Sequence, residues 1–336
     1  MSKRHFSILL FISLAVALAV FLIPSRTSRD ASAEPSIYLP ELASVVNDVE
    51  QIRITSNGGS EVVTLDRNET GWSVREFSGY AADWSVVKPL LADLSQAEVL
   101  EAKTSNPQYY DRLGVEDPLS EGSESTLIEF PDKESVPPLI VGNQAQGREG
   151  QYLRRQDEAR SVLVDRTITV PFESEGWLER EIVDVPESEV VNVRVSHSDG
   201  ETIEIGRLGT DVDDFTLSGI PEGRKTKSAY SVNQMASALS SLTLDGVAPV
   251  EDIAWDGAIE LTVTAASGLQ IDARLVEDEE QRWIRLQASG NEAADPINQR
   301  VSAWAYQIPL YKFDAVNKRM EDLLAEVEDE KTADQP

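Results

Sequence analysis

The chain contains no cysteine among its 336 residues. Disulfides, thiol chemistry, thiolate metal ligation and a lipid-modified cysteine anchor are therefore excluded. Histidine is nearly as scarce, with only His5 and His197. His5 adjoins an apolar N-terminal run, so imidazole-based metal or triad chemistry would rest on His197 alone. Positive charge is also short. Thirty Lys and Arg face 59 Asp and Glu, for a net charge of −29. Sequence-independent nucleic-acid binding needs basic side chains against phosphates, and this balance speaks against it. The same holds for broad contact with anionic lipid heads. The acidity reads as a device for solubility, with salt adaptation as a further use.

Long uncharged runs are missing too, with one exception. Phe6 to Ile23 carries no charge over eighteen residues, follows Lys3 and Arg4, and is closed by Pro24. At about 1.5 Å per residue such a helix nearly covers a hydrocarbon core of about 30 Å. The expectation is a single transmembrane anchor lined by Phe6, Leu10, Leu14, Leu18 and Leu22. Lys3 and Arg4 place the N-terminus in the cytoplasm of a bacterial inner membrane and the body in the periplasm, although Arg26 and Arg29 oppose that bias. The rival reading is a cleaved signal peptide. Ala31-Ser32-Ala33 has the form of a cleavage site, but it lies eight residues beyond the run, and Ala17-Leu18-Ala19 lies inside it.

The rest reads as short strands and turns. Gln51 to Thr55, Val62 to Leu65 and Trp72 to Phe77 alternate around Asn57-Gly58-Gly59 and Asn68 to Gly71, which predicts a three-strand meander. A helix follows, capped by Asp83, with Val87, Leu90, Leu91 and Leu94 on one face and Pro89 as an interior misfit. Strands are expected at 126–130, 139–141, 151–155 and 162–164. The order then begins again. Strands at 190–195, 202–205 and 215–217 precede a helix from Ser231 to Leu242, and strands at 259–264, 269–275 and 282–286 come after it. At an offset of 148 residues, Val87, Leu91, Leu94 and Val99 coincide with Met235, Leu239, Leu242 and Val247. The expected fold class is α+β: an N-terminal transmembrane helix, then two related lobes of antiparallel sheet with covering helices, arisen by internal duplication. The expected division is an anchor at 1–24, a flexible tether at 25–44, a first lobe at 45–183, a second lobe at 184–328 and a disordered tail at 329–336. A single amphipathic helix is expected from Tyr311 to Val327.

Candidate chemical motifs fail on their own requirements. Gly142 to Gly147 has the glycine spacing of a phosphate loop, but Arg148 and Glu149 stand where Lys and Ser or Thr belong, so it reads as a hairpin connection. Ser85-Val86-Val87-Lys88 and Ser231-Val232-Asn233 match two of three serine acyl-enzyme elements. The nearest third element, Lys225-Thr226-Lys227, is imperfect and out of order. Asp211-Val212-Asp213 with Glu222 suggests a calcium loop until Phe215 and Thr216 occupy the fifth and sixth positions. His197 beside Asp199 has no evident nucleophile. Trp72, Trp84, Trp177, Trp255, Trp283 and Trp304 are spread one per segment, as packing anchors are; a carbohydrate platform is the sharper alternative. No catalytic residue, cofactor or metal is expected.

Several stretches taken in order carry a resemblance. Tyr109-Tyr110-Asp111-Arg112-Leu113-Gly114-Val115-Glu116-Asp117-Pro118 resembles the signature of the DUF4340 family of uncharacterised membrane-anchored bacterial proteins. Leu139 to Gly142, Gly150 to Arg154, Ser161 to Val164, Trp177 to Ile182 and Trp304 to Pro309 resemble its later segments, so the likeness runs from about residue 45 to 325. Val115 departs from the commoner polar residue at its position. The resemblance implies an accessory partner of ABC-type transporters of the gliding-motility auxiliary kind, and it carries over no catalytic residues. The expected function is a non-catalytic, membrane-anchored periplasmic scaffold. Its partners would be permease or auxiliary subunits, with an envelope protein, lipid or glycan as cargo. Two alternatives stand beside it: a cell-envelope hydrolase or polysaccharide-active enzyme, and a structural envelope protein that self-associates.

Overall fold

The computed structural model describes residues 36–326 apart from 121 and 280. The expected anchor residues Phe6, Leu10, Leu14, Leu18 and Leu22, and the tail at 329–336, lie outside the described residues. Within them, no helix is long and apolar enough to cross a membrane.

Antiparallel sheet dominates, with a few helices. The chain opens with helix α1 (Pro40–Val45), then runs through β1 (Gln51–Ser56), β2 (Glu61–Asn68), β3 (Gly71–Val74) and β4 (Tyr80–Ala81). Helix α2 (Trp84–Gln96) leads to β5 (Val99–Ala102), β6 (Thr126–Glu129), β7 (Leu139–Gln144), β8 (Gln151–Arg155) and β9 (Ser161–Val164). These strands form one sheet in the order β4-β3-β2-β1-β6-β7-β8-β9-β5. A short β10 (Glu181–Val183) precedes β11 (Val190–Ser196), β12 (Thr202–Gly206), β13 (Thr216–Leu217), helix α3 (Ala229–Ala236), β14 (Leu242–Thr243) and β15 (Gly246–Pro249). Then come β16 (Ile259–Ala265), β17 (Gln270–Asp278), β18 (Gln281–Ser289), helix α4 (Ala294–Val301), β19 (Trp304–Gln307), α5 (Leu310–Val316) and α6 (Met320–Leu323). The second sheet runs β13-β12-β11-β16-β17-β18-β19-β15, and β10 pairs separately with β14.

The pattern of side chains explains these strands. In β16, Ile259, Leu261, Val263 and Ala265 point into the core while Glu260 faces out, the period-two alternation of a half-buried strand. The meander forms as expected, because Asn57, Gly58 and Gly59 all take positive φ at its first turn. Helix α2 begins where Asp83 accepts from Ser85 N, and it buries Val87, Leu90, Leu91 and Leu94. It continues through Pro89.

Residues 177–183 strap the two sheets together. Glu179 N donates to Ala81 O, and Asp83 N donates back to Trp177 O. A few residues on, Leu244 N donates to Arg180 O, and β10 joins β14. Tyr80, at the edge of the first sheet, sets its ring edge-on to Trp304 at 5.1 Å and to Tyr306 at 6.0 Å in β19 of the second. One apolar cluster runs through both sheets.

Three expectations need correction. The tether at 25–44 is folded in its second half. Tyr38, Leu39 and Leu42 are buried, and Tyr38 N donates to Ala97 O while Val99 N donates to Ser36 O, so this segment adds to the edge at β5. The helix expected over Ser231–Leu242 stops at Ala236 instead. Lys312 Nζ donates to the carbonyls of Ser237 and Ser240, and Leu242 pairs in β14. The expected helix from Tyr311 to Val327 is two short helices, α5 and α6. It breaks because its middle residues bind the β11–β12 hairpin. His197 Nε2 donates to Lys318 O at 2.9 Å, Arg319 forms ion pairs with Asp199 at 2.7 Å and Glu201 at 2.8 Å, and Met320 N donates to Glu201.

That latch is pH-dependent in a defined direction. The Arg319 guanidinium holds the Asp199 carboxyl below its ordinary 3.8. The Met320 amide, then Arg319, hold Glu201 below its ordinary 4.5. A carboxylate with a depressed pKa in the fold contributes stability above its ordinary pKa, and that contribution is lost as pH falls through the folded value. Wild type should therefore exceed Arg319→Gln in urea stability at pH 7. The gap should close as pH drops below about 4. A gap that is constant from pH 7 to pH 3 would refute the latch.

Candidate functional site

The outer face of the second sheet holds a hollow of about 490 Å³. Its floor is set by strand register. Glu260, Arg274 and Arg285 are direct partners across β16, β17 and β18. Two residues along, on the same face, stand Thr262, Asp272 and Gln287. Val250 and Ser302 wall one side.

The charges of the first row are unevenly matched. Arg274 pairs with Glu260 at 3.0 Å. Arg285 forms no ion pair among the described residues; its guanidinium lies over the Trp255 ring, 5.1 Å from the centroid. Burial, and then the neighbouring Arg274, press the Arg285 pKa below the usual guanidinium value. Trp255 is itself anchored by a hydrogen bond from Nε1 to Val250 O at 3.1 Å. Asp272 accepts from Thr262 Oγ1 at 2.7 Å and from Gln270 Nε2. The hollow therefore presents guanidinium, amide and hydroxyl donors beside carboxylate acceptors.

On the outer face of the first sheet the 110–118 loop covers part of the strands. Tyr110, Val115, Leu127 and Ile140 form a small apolar cluster there. Arg154 is buried beneath the 110–118 loop, 7% exposed. Its Nε donates to Val115 O at 2.9 Å, and its Nη1 serves the carbonyls of Gln156 and Glu158 at 3.3 and 3.0 Å. Its guanidinium lies 4.6 Å from the centre of the Tyr110 ring, and the Tyr110 hydroxyl donates to Ala159 O. Gly142 in β7 sits so close under the loop that a Cβ there would lie 2.4 Å from Leu113 O. The Tyr109–Pro118 motif thus plugs one sheet face.

Of the residues weighed for catalysis, Ser231 and His197 are engaged by the fold, whereas Ser85 and Lys88 stand at an exposed helix surface. Ser85 lies in the first turn of α2, where its amide meets the Asp83 cap, and Lys88 is exposed. Ser231 Oγ donates to Ser228 O, and Ser228 is the true cap of α3. His197 ties down Lys318. The Gly142–Gly147 stretch is the end of β7 and its hairpin connection, with Ala145 N donating to Gly150 O. Beside Asp211 to Asp213, Phe215 is buried under Arg207, and Asn233 bridges Phe215 N and Asp214. Among the described residues, no group of three or more Asp, Glu or His side chains is placed to hold a metal ion. Of the tryptophans, Trp72, Trp177 and Trp283 are buried anchors, whereas Trp84 is 52% exposed. The sequence reading missed Arg274 and Arg285, which the register of β17 against β18 sets opposite each other.

These features define a two-sheet antiparallel α+β protein. Within that class, a family model described as "Domain of unknown function (DUF4340)" matches residues 72–258, more than half of the chain, and the protein belongs to that family. The matched span is shorter than the expected 45–325. It takes in the Tyr109–Pro118 plug and the strap but ends before Glu260. No curated protein and no solved structure matches the chain.

Proposed function

We propose that this protein is a non-catalytic accessory or scaffold subunit of an ABC-type transporter complex, held at a bacterial inner membrane by Phe6 to Ile23 with its body in the periplasm. Permease or auxiliary subunits would be its partners, and an envelope protein, lipid or glycan its cargo. The observation that carries the reading is a set of large aromatic side chains left uncovered. Trp84, Phe172, Tyr230 and Tyr311 are each more than half exposed, on different elements. Such side chains are enriched at protein interfaces. The folded segment at Ser36–Tyr38 supports a close attachment. It leaves about a dozen residues after Ile23, a reach of about 40 Å at most.

The two halves, 45–183 and 184–328, are proposed to be copies of one unit. Leaving out β4, the sheet orders correspond strand for strand, from β3 with β13 to β5 with β15. The offset of 148 residues that aligns Val99 with Val247 places them in β5 and β15, the strands at corresponding edges. Helices α2 and α3 occupy the same place in each order.

Crosslinking in native membranes, followed by affinity purification of the full-length protein, tests the transporter reading. An ATPase and a multi-span permease should be recovered in comparable amounts, and substituting Tyr230 and Tyr311 by Ser should reduce that recovery. Recovery of the protein alone, or only with itself, would overturn the reading.

A further inference from the structure

We propose that the hollow on the second sheet binds a sugar unit bearing a carboxylate or phosphate, with Arg285 as its principal anion contact. The argument begins with an imbalance. Acidic residues outnumber basic ones 59 to 30 in this chain, so an arginine without a carboxylate partner is the less expected outcome at any position. Arg285 is such an arginine among the described residues, and its direct cross-strand neighbour is a second arginine, Arg274. Like charges directly opposite each other on one sheet face oppose folding. An oxyanion between the two guanidinium groups removes that repulsion and accepts the paired N–H donors that a guanidinium offers. Stacking on Trp255 fixes the plane of Arg285 in advance, so little freedom remains to be lost on binding.

The second row identifies the rest of the ligand. Thr262, Asp272 and Gln287 offer a hydroxyl, a carboxylate and an amide on the same face as the arginines. Together they can accept from and donate to ligand hydroxyls. A volume of about 490 Å³ is far more than a bare ion needs. Glu260 and Asp272 temper the positive charge, but both are engaged, Glu260 by Arg274 and Asp272 by Thr262 and Gln270. A free polyanion would meet these carboxylates unfavourably, whereas a singly placed oxyanion with hydroxyls around it would meet the guanidinium on one side and hydrogen-bond acceptors on the other. The two polar rows, from Glu260 onward, lie beyond the matched family span, whereas Val250 and Trp255 lie within it, and the site does not depend on the transporter reading.

The test is calorimetric titration of the full-length protein in detergent at low ionic strength with four probes: glucuronate, glucose 6-phosphate, inorganic phosphate and glucose. Saturable binding of glucuronate or glucose 6-phosphate is expected, and which of them binds identifies the oxyanion. Arg285→Gln should weaken it about tenfold or more, the scale of a charged hydrogen bond. Gln287→Ala, a substitution at an exposed position that leaves the fold intact, should weaken the charged sugar while leaving any response to inorganic phosphate unchanged. Glucose and inorganic phosphate should each bind about tenfold more weakly than the charged sugar, by the same scale. The proposal is overturned if neither charged sugar binds, if glucose or inorganic phosphate binds as well as the charged sugar does, or if both substitutions leave the affinity unchanged.

Discussion

Arg154→Ala should lower the stability of the protein by about 3–5 kcal/mol, because it leaves several carbonyls without a donor at about 1–3 kcal/mol each. The carbonyls are those of Val115, Gln156 and Glu158, which Arg154 serves from a buried position. Its partners are peptide oxygens, so the substitution strands neutral acceptors rather than a counter-charge. It also removes the surface on which the Tyr110 ring rests. Arg154→Lys keeps the charge but not the fork, and one ammonium cannot reach both the carbonyl served by Nε and those served by Nη1. The lysine variant should recover less than half of the loss. Urea unfolding followed by circular dichroism measures both. A cost below 1 kcal/mol for Arg154→Ala would mean that water replaces the guanidinium and that the loop is not held by it.

The same residues show how much could be read in advance. The Tyr109–Pro118 motif and the Gly150–Arg154 stretch stand out in the sequence as a signature, and short strands at 139–141 and 151–155 are read from their apolar residues and flanking turns, the first of them running on to Gln144 in the fold. That Arg154 reaches from β8 back to the 110–118 loop was not legible, because its bond to Val115 spans 39 residues and no local pattern encodes it. The C-terminal helix fails for the same reason. Tyr311 to Val327 has helical periodicity, yet Lys318 and Arg319 are drawn to a hairpin about 120 residues earlier, and tertiary partners override propensity. The 36–44 part of the expected tether looked like linker because of its composition, but Leu39 and Leu42 are fully buried against partners that composition cannot name. In the hollow, each residue type was visible, but only the pairing of β16, β17 and β18 places Glu260, Arg274 and Arg285 in one row. The local signals, namely caps, turns and alternation, were therefore readable, whereas features built from distant partners were not.

The joint between the sheets belongs to this second kind, and it supports the second large prediction. Tyr80 is 4% exposed and ends a four-strand run at the first sheet's edge, while its ring packs on Trp304 and Tyr306 of the other sheet. Its hydroxyl donates to Glu179 O at 3.0 Å, which fastens the strap at the same point. Burial pushes the Tyr80 pKa up to about 12, so the hydroxyl keeps its proton and remains a donor well above neutral pH. Truncating a large buried aromatic costs about 3–5 kcal/mol, and here the loss falls on both sheets at once. Tyr80→Ala should therefore split unfolding into two transitions, whereas the wild type, with one apolar cluster through both sheets, should show a single one. Tyr80→Phe keeps the edge-on ring contacts and loses the hydroxyl with its bond to Glu179, at a cost of about 1 kcal/mol, and should keep the single transition. Calorimetry of the three proteins distinguishes these outcomes. A single transition and a small loss in Tyr80→Ala would show that the strap at 177–183 joins the sheets without help from the aromatic contact.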